Sequence, residues 1–189
     1  MYNCRILTTE EITDTYNRYM KIDFPRDELK PLSRILFSLD RGQYICYGIF
    51  NNGTLCGYAY FASIVNEGKT YYLLDYFAIV ERFRDKGVGS EFLRQLYDKV
   101  CDVEAVLCEV ETVDGISGNE NIIRNRRISF YLRNRFIETG VNASSFGVDF
   151  MLLELDLGRK HGKDEIRKYY SLLYRSFLPE KIYNKYVKV

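Results

Sequence analysis

The sequence predicts one α/β domain, with a mixed and largely antiparallel sheet that carries helices on both faces. The chain has 189 residues, 47% of them apolar, which is enough for one hydrophobic core and too little for a second full-sized domain. Segments with helical periodicity alternate with aromatic and β-branched runs that are typical of strands. We find no internal repeat and no linker, so residues 1–189 are predicted to form a single domain.

Two short helices are predicted before the sheet. Thr8, with Glu11 three residues later, forms a capping box that begins a helix near residue 9. Apolar residues between Leu32 and Leu39 lie on one face of a second helical segment, which ends at Gly42.

Strands follow, because the periodicity changes at about residue 43. The runs 44–50 and 55–61 are aromatic and β-branched, and the Asn-Asn-Gly turn between them predicts a β-hairpin. A turn at 66–69 leads into a third strand over 70–80, which should pair antiparallel with the second.

The second half of the chain predicts one crossover and three further elements. A half-buried helix from Val88 to Val100 joins the third strand to a short strand over 105–110, which should therefore lie parallel to the third strand. Next come a loop with Gly115 and Gly118, a basic helix over 122–135, a strand over 146–157 and a final helix over 164–177.

Composition excludes several classes of protein. The formal net charge is +1, which argues against a general nucleic-acid or membrane coat. No apolar run approaches the roughly 18 residues of a membrane helix, and no signal peptide begins the chain, so we expect a cytoplasmic protein. The five cysteines suit neither a disulfide framework nor a zinc site, and we interpret Cys46, Cys56 and Cys108 as core residues rather than nucleophiles. The only histidine, His161, lies in a polar loop, and we expect it to take no part in a metal site or a catalytic triad.

The segment between the third strand and its helix carries the clearest chemical pattern. Gly87 and Gly89 at the mouth of the helix allow backbone N–H groups to converge on an anion, and the helix dipole adds attraction. Arg82, Arg84 and Lys86 add positive charge. A phosphate or pyrophosphate fits this pattern, whereas the ATP-binding loop is absent and the dinucleotide fingerprint lacks its third glycine.

Two motifs resemble the GCN5-related N-acetyltransferase (GNAT) family. Arg84-x-x-Gly87-x-Gly89 matches the family's pyrophosphate loop, [QR]-x-x-G-x-[GA], which follows a strand. The segment 126–136 looks like the family's last core motif, because Tyr131 stands five residues before Phe136, as the family's catalytic tyrosine does.

This sequence departs from the second motif at two positions. Arg135 stands where glycine is usual, and Asn125 is one place nearer Tyr131 than the family's common asparagine. These departures affect the end of the helix and the pantetheine contact of Asn125, and they leave the tyrosine in place. The resemblance covers a core of about 43–157 and leaves 164–189 as a C-terminal helical extension.

The resemblance implies the acyl-CoA N-acyltransferase fold and transfer of an acetyl group from acetyl-CoA to a primary amine, without a metal. It also implies that the pantetheine arm fills a gap between the splayed third strand and the next parallel strand. The cofactor-binding residues that it implies are Phe77, Ala78, Ile79, Arg84, Asp85, Lys86, Gly87, Val88, Gly89, Ser90 and Asn125.

Acetyl transfer requires the amine to lose a proton and the departing thiolate to be stabilised or protonated. Tyr131 suits the second task, because a phenol with a pKa of about 10 is still protonated when a thiol of about 8.5 leaves. The alternative is that Tyr131, one of 17 tyrosines in the chain, is a core residue. Glu109 and Asp75 are both candidates for the base, directly or through water, and a salt-bridge or solvated edge position is the alternative for each.

Other functions stay open at this point. One is a CoA-binding regulatory or interaction module that keeps the fold with little catalysis. Five arginines between residues 124 and 135 could meet the CoA nucleotide, an acidic acceptor, carboxylates of the chain itself, or RNA. The near-neutral charge and the lack of an aromatic ribonucleoprotein motif do not favour nucleic acid. The acceptor amine is unassigned, and a homodimer is among the oligomeric states left open.

Overall fold

In the computed structural model the chain is a mixed α/β protein with an open sheet of eight strands, which confirms the predicted class. The structure describes residues 1–26, 28–113 and 118–189. Its strands are β1 (Tyr2–Ile6), β2 (Tyr44–Asn51), β3 (Thr54–Asn66), β4 (Lys69–Ile79), β5 (Ala105–Glu111), β6 (Phe136–Ser145), β7 (Val148–Leu155) and β8 (Val187–Lys188). Its helices are α1 (Thr9–Thr15), α2 (Lys21–Asp23), α3 (Leu32–Asp40), α4 (Val88–Val100), α5 (Asn119–Arg133), α6 (Lys163–Phe177) and α7 (Glu180–Tyr186).

The chain divides into two compact units, and each is described separately. The first unit comprises residues 1–63 and 74–99, and the second comprises 64–73 and 100–189. A single domain therefore stays a prediction, as does the parallel pairing expected for the strand after the crossover.

The first unit contains the predicted hairpin and the two N-terminal helices. Thr8 and Glu11 form the capping box of α1, and a π-helical turn, Tyr16–Met20, continues the helix into α2. β2 and β3 pair antiparallel around a turn in which Asn52 and Gly53 both have positive φ. The predicted hairpin and both helices are thus confirmed.

One strand of the first unit was absent from the prediction. β1 pairs antiparallel with β2, so that Cys4 lies opposite Ile49. The Gln95 side chain of α4 also holds this strand, accepting from the Cys4 N–H at 2.7 Å and donating to the Tyr2 carbonyl at 3.1 Å. A five-residue strand has too little pattern of its own and depends on these distant partners.

The second unit differs more from the prediction. Where one strand was expected over 146–157, the structure has a hairpin of β6 and β7, with Phe146 and Gly147 at positive φ in its turn. The basic helix, α5, begins earlier and ends earlier than predicted, at Arg133. α7 and the two-residue β8, which pairs with the end of β6, follow the predicted last helix.

Apolar residues form the core of each unit. Tyr58, Tyr60 and Phe92 are fully buried in the first unit, as are Leu152 and Tyr170 in the second. All five cysteines are free thiols, and every one except Cys101 is buried, so the core placement of Cys46, Cys56 and Cys108 is confirmed. No helix among the described residues is long and apolar enough to cross a membrane.

Candidate functional site

The glycine loop, residues 84–90, joins β4 to α4 in the first unit. After β4 the chain makes a short 3-10 turn, Glu81–Phe83, and then turns through Asp85 and Gly87, whose φ angles are +57° and +76°. α4 starts at Val88, which is buried, so the helix N-terminus is fixed at the loop. The first N–H groups of a helix have no intrahelical acceptor, and those of α4 therefore lie at this turn.

Gly87 gives the loop an open surface. Apart from its two chain neighbours, no described residue has an atom within 4 Å of the point where a Cβ would stand, and its left-handed φ favours glycine over any other residue. Gly89 and Ser90 follow in the half-buried first turn of α4. An exposed turn of backbone before a helix N-terminus is an arrangement that can bind phosphate groups.

The Arg84 side chain stabilises the loop from within. Its Nε donates to the Ile79 carbonyl at 2.8 Å, and its Nη2 lies 2.6 Å from Asp23 Oδ1. Asp23, on α2, also accepts from the Tyr58 hydroxyl at 2.8 Å. Arg84 therefore braces the turn. Its side chain is held by these two contacts, whereas the motif suggests a mobile cation.

The other two cations of this segment lie at its exposed surface. Lys86 Nζ donates to the Arg82 carbonyl at 2.8 Å, and the Arg82 guanidinium stands 4.8 Å from the Phe83 ring centre. Both side chains remain exposed, so either cation can reach an anion in the loop. The positive charge predicted for this site is present on Arg82 and Lys86.

The end of β4 precedes the glycine loop. Phe77, Ala78 and Ile79 are all half-buried there. The Phe77 ring packs 5.5 Å from the ring of Phe92 on α4, which ties the strand to the helix that follows the loop. Gly57 of β3 approaches closely, because a Cβ on it would stand 2.9 Å from the Ala78 carbonyl oxygen.

Asp75, one of the two candidate bases, is held in an ion pair of the first unit. Lys30 Nζ lies 2.5 and 2.6 Å from its two carboxylate oxygens. The Tyr44 hydroxyl also donates to Asp75, and burial, followed by the nearby Asp75 charge, raises the pKa of Tyr44 well above its usual value. The carboxylate thus has a cation and a phenol as neighbours.

Glu109, the other candidate, lies on β5 in the second unit. Its Oε1 accepts from the hydroxyls of Tyr170 at 2.5 Å and Tyr174 at 2.7 Å, both on α6. Burial and the Glu109 charge raise the pKa of both phenols, so they remain donors. The Tyr-rich C-terminal helix therefore contacts a candidate catalytic carboxylate as well as the core.

Tyr131 is buried near the end of α5 in the second unit. Its ring meets Phe136 edge-on at 5.1 Å, and the Cys108 side chain of β5 lies near its phenol. Burial raises the pKa of Tyr131 well above 10, and it raises the pKa of the Cys108 thiol to about 12. Tyr131 is therefore a protonated phenol in a buried setting.

The basic helix is paired in part with carboxylate. Arg124 Nη2 lies 2.9 Å from Glu111 Oε2, and Arg127 Nη1 lies 3.3 Å from Glu111 Oε1. Arg135 does not share their helix face, because α5 ends at Arg133 and Arg135 has a φ of +70°. Asn125 is exposed and donates to the Asn121 carbonyl at 2.9 Å.

His161 makes contacts that the sequence does not indicate. Its Nδ1 bonds to the buried Glu154, its Nε2 lies 3.5 Å from Glu104, and its ring meets Tyr169 edge-on. Burial raises the pKa of Glu154, and the hydrogen bond from His161 opposes that shift. Among the described residues no group of His, Cys, Asp and Glu side chains is arranged to hold a metal.

The glycine loop, Asp75 and Glu109 all fall within a stretch that matches a known family. Residues 9–114 match the model of the acetyltransferase (GNAT) family, which is more than half of the chain. The chain belongs to the GNAT acetyltransferase family. The matched stretch ends before Tyr131, so the assignment of this GNAT chain's tyrosine rests on the resemblance of its motif.

Solved structures share the GNAT fold at low sequence identity. A Bacteroides thetaiotaomicron protein assigned to the GNAT acetyltransferases is 21% identical with a TM-score of 0.68, over 93% of this chain and 98% of that one. The Escherichia coli ribosomal-protein-S18-alanine N-acetyltransferase is 17% identical with a TM-score of 0.57, over 82% and 93%. Arabidopsis thaliana NAA60, solved with a bisubstrate analogue, is 12% identical with a TM-score of 0.58, over 82% and 97%. No curated protein matches this chain.

Proposed function

We propose that this GNAT-family chain transfers an acetyl group from acetyl-CoA to a primary amine of a small molecule or peptide. The observation that carries the proposal is the glycine loop, which turns through Gly87 at a φ of +76° into the N-terminus of α4. Backbone N–H groups and a helix dipole in this arrangement favour a pyrophosphate. Because the chain belongs to the GNAT family, the pyrophosphate of CoA is the expected ligand.

The residues of the first unit fit this co-substrate. The open space at Gly87 leaves room for phosphate oxygens, and the exposed Arg82 and Lys86 add charge beside them. Arg84, braced by Asp23, would keep the turn in its binding shape. Under the proposal the remaining contacts come from Phe77, Ala78 and Ile79 to the pantetheine arm, from Asp85, Val88, Gly89 and Ser90 in the loop, and from Asn125.

Tyr131 would protonate the departing thiolate. Its phenol is held protonated by burial, and its place in the motif is that of the family's catalytic tyrosine. Transfer of this proton leaves a tyrosinate, which then takes up a proton from solvent or the second proton that the attacking nitrogen loses as the amide forms.

Asp75 or Glu109 would help to remove the proton of the amine, directly or through water. Asp75 lies two residues before Phe77 on β4 and already binds an ammonium group, that of Lys30. Glu109 accepts from two phenols, and no ammonium group is among the contacts described for it. Between the two carboxylates, the contacts favour Asp75.

The alternative is a CoA-binding regulatory or interaction module with little catalysis. The engagement of both carboxylates supports it, because Asp75 is paired with Lys30 and Glu109 with two tyrosines. A module of this kind would bind acetyl-CoA without releasing free CoA. Under either function we propose that the protein lies in the cytoplasm, where free cysteines remain reduced.

Calorimetric titration with acetyl-CoA, with ATP and NAD as controls at the same ionic strength, tests the proposal. We expect selective, micromolar binding of acetyl-CoA. Release of free thiol with a panel of primary amines would then establish the enzyme, whereas binding without release would establish the regulatory module. A folded chain that does not bind acetyl-CoA would overturn both.

A further inference from the structure

Lys30 occupies an ammonium-binding cage within the first unit. The cage consists of the Asp75 carboxylate and the rings of Tyr44 and Tyr76. Lys30 Nζ lies 2.5 and 2.6 Å from the Asp75 oxygens, 5.9 Å from the Tyr44 ring centre and 5.7 Å from that of Tyr76. An anion and two aromatic faces are the groups that recognise a primary ammonium.

The backbone around Lys30 is held as firmly as its side chain. The Lys30 N–H donates to the Tyr76 hydroxyl at 2.9 Å, and that hydroxyl donates to the Glu28 carbonyl at 2.9 Å. Tyr44 and Tyr76 are buried, and the side chains of Lys30 and Asp75 are only 28% and 13% exposed. Desolvated ion pairs add little net stability to a fold. Anchoring the segment around Lys30 therefore does not by itself explain why Lys30 is paired with Asp75.

The cage adjoins the strand end that is proposed to bind the pantetheine arm. Asp75 and Tyr76 directly precede Phe77 on β4. Successive residues of a strand advance by about 3.3 Å, so the cage lies within one or two residue spacings of that site. A positioned amine beside a bound thioester reacts far faster than one that must diffuse to it.

We propose that the protein acetylates its own Lys30, with Asp75 as the group that receives the ammonium proton. This inference rests on the proposed function. The Nζ lone pair, freed when the first proton passes to Asp75, attacks the thioester carbonyl carbon of acetyl-CoA, forming a C–N bond as the C–S bond breaks. The nitrogen loses its second proton as the amide forms, and the departing thiolate takes up a proton. One acetyl-CoA thus gives Nζ-acetyl-Lys30 and one free CoA, and Asp75 releases one proton to solvent.

The product changes the charge of the cage. An acetylated Lys30 carries no positive charge, so the Asp75 carboxylate loses its ion pair and keeps its bond from Tyr44.

Lys21 provides a matched control on a neighbouring element. Its Nζ stands 5.5 Å from the Tyr16 ring centre and 2.7 Å from Asn17 Oδ1, and the residue is exposed. It therefore has an aromatic neighbour, without a carboxylate at hydrogen-bond distance among the contacts described. Spontaneous acetylation favours the more exposed amine, Lys21, so preference for Lys30 would indicate a reaction directed by the protein.

The test is incubation of the full chain with acetyl-CoA, followed by intact-mass measurement and peptide mapping. We expect Lys30 to be acetylated at least about tenfold faster than Lys21. Excess free CoA should suppress the Lys30 product and leave the Lys21 background unchanged. This control uses the parent protein, so it does not depend on the folding of a variant. Lys30→Arg should remove the mapped product, and Asp75→Asn should slow its formation.

Two results would contradict the inference, and they are distinguishable. If calorimetry shows that acetyl-CoA binds but Lys30 reacts no faster than Lys21, self-acetylation is overturned and the proposed function stands. If acetyl-CoA does not bind the folded chain, the proposed function fails and self-acetylation fails with it.

Discussion

Arg84 and Asp23 form an ion pair of 2.6 Å that joins the glycine loop to α2 across 61 residues of sequence. The Asp23 side chain is nearly buried, and it holds Tyr58 as well as Arg84. The first residue of the pyrophosphate motif is thus fixed by an acid far away in the sequence. The loop geometry consequently depends on the N-terminal helices.

Asp23→Ala should weaken acetyl-CoA binding, because Arg84 loses the partner that braces the turn. We expect Kd to rise about threefold to tenfold, which corresponds to a loss of roughly 1 kcal/mol of binding free energy. Asp14→Ala is the matched control, since Asp14 pairs with Arg18 at an exposed surface. Calorimetry on the three proteins makes the comparison, and equal affinities would show that the loop does not need this brace.

Gly87→Ala should also weaken acetyl-CoA binding, by at least about tenfold in Kd. The left-handed φ costs an alanine about 1 kcal/mol, and the new methyl group stands where phosphate oxygens are proposed to lie. Gly53→Ala matches the strain, because Gly53 has a φ of +77° and equally open surroundings in the β2–β3 turn. A loss of affinity in both variants would indicate a general effect of strain rather than a binding loop.

Tyr131→Phe should lower kcat about 100-fold and leave acetyl-CoA affinity nearly unchanged, since a general acid acts mainly in the transition state. Tyr183→Phe is the control, because Tyr183 is also buried in the second unit and donates to Ser171 at 3.0 Å. Steady-state kinetics and calorimetry separate the two quantities. Full activity in Tyr131→Phe would remove this tyrosine from the mechanism.

Arg135→Gly should stabilise the protein by up to about 1 kcal/mol. Arg135 has a φ of +70°, a conformation that costs a non-glycine residue roughly 1–2 kcal/mol, while glycine's extra unfolded-state entropy offsets part of the gain. Arg135→Val, with a β-branched side chain, should destabilise it. The free energy of unfolding in urea measures both, and a glycine variant less stable than the valine variant would contradict the expectation.

Glu11→Gln should reduce the sensitivity of stability to acid. The hydrogen-bonded ion pair with Arg5 lowers the pKa of Glu11 to about 2 from a usual value of 4.5. Because the folded-state pKa is the lower one, this stabilisation is present above about pH 4.5 and is lost as pH falls toward 2. Urea midpoints at pH 7, 4 and 2.5 should therefore decline more in the parent than in Glu11→Gln, with Glu10→Gln behaving like the parent.

Local patterns in the sequence were sufficient for the elements that stabilise themselves locally. The Thr8 capping box, the Asn-Gly turn before β3 and the glycine-led start of α4 all appear where predicted. Each depends on residues within a few positions of one another. β1 and β8 were missed because these short edge strands form only against partners that are distant in the chain. β6, which forms a hairpin with the neighbouring β7, was also missed.

A contiguous motif was enough to predict the family and the glycine loop, because its backbone requirements are local. The surroundings of the candidate groups, in contrast, depend on the tertiary structure. It brought Lys30 to Asp75, Asp23 to Arg84, and two tyrosines of α6 to Glu109. Such pairs join residues 45 to 65 positions apart, and ion pairing or burial at that range depends on the packing of whole elements, which leaves no periodic trace in the sequence.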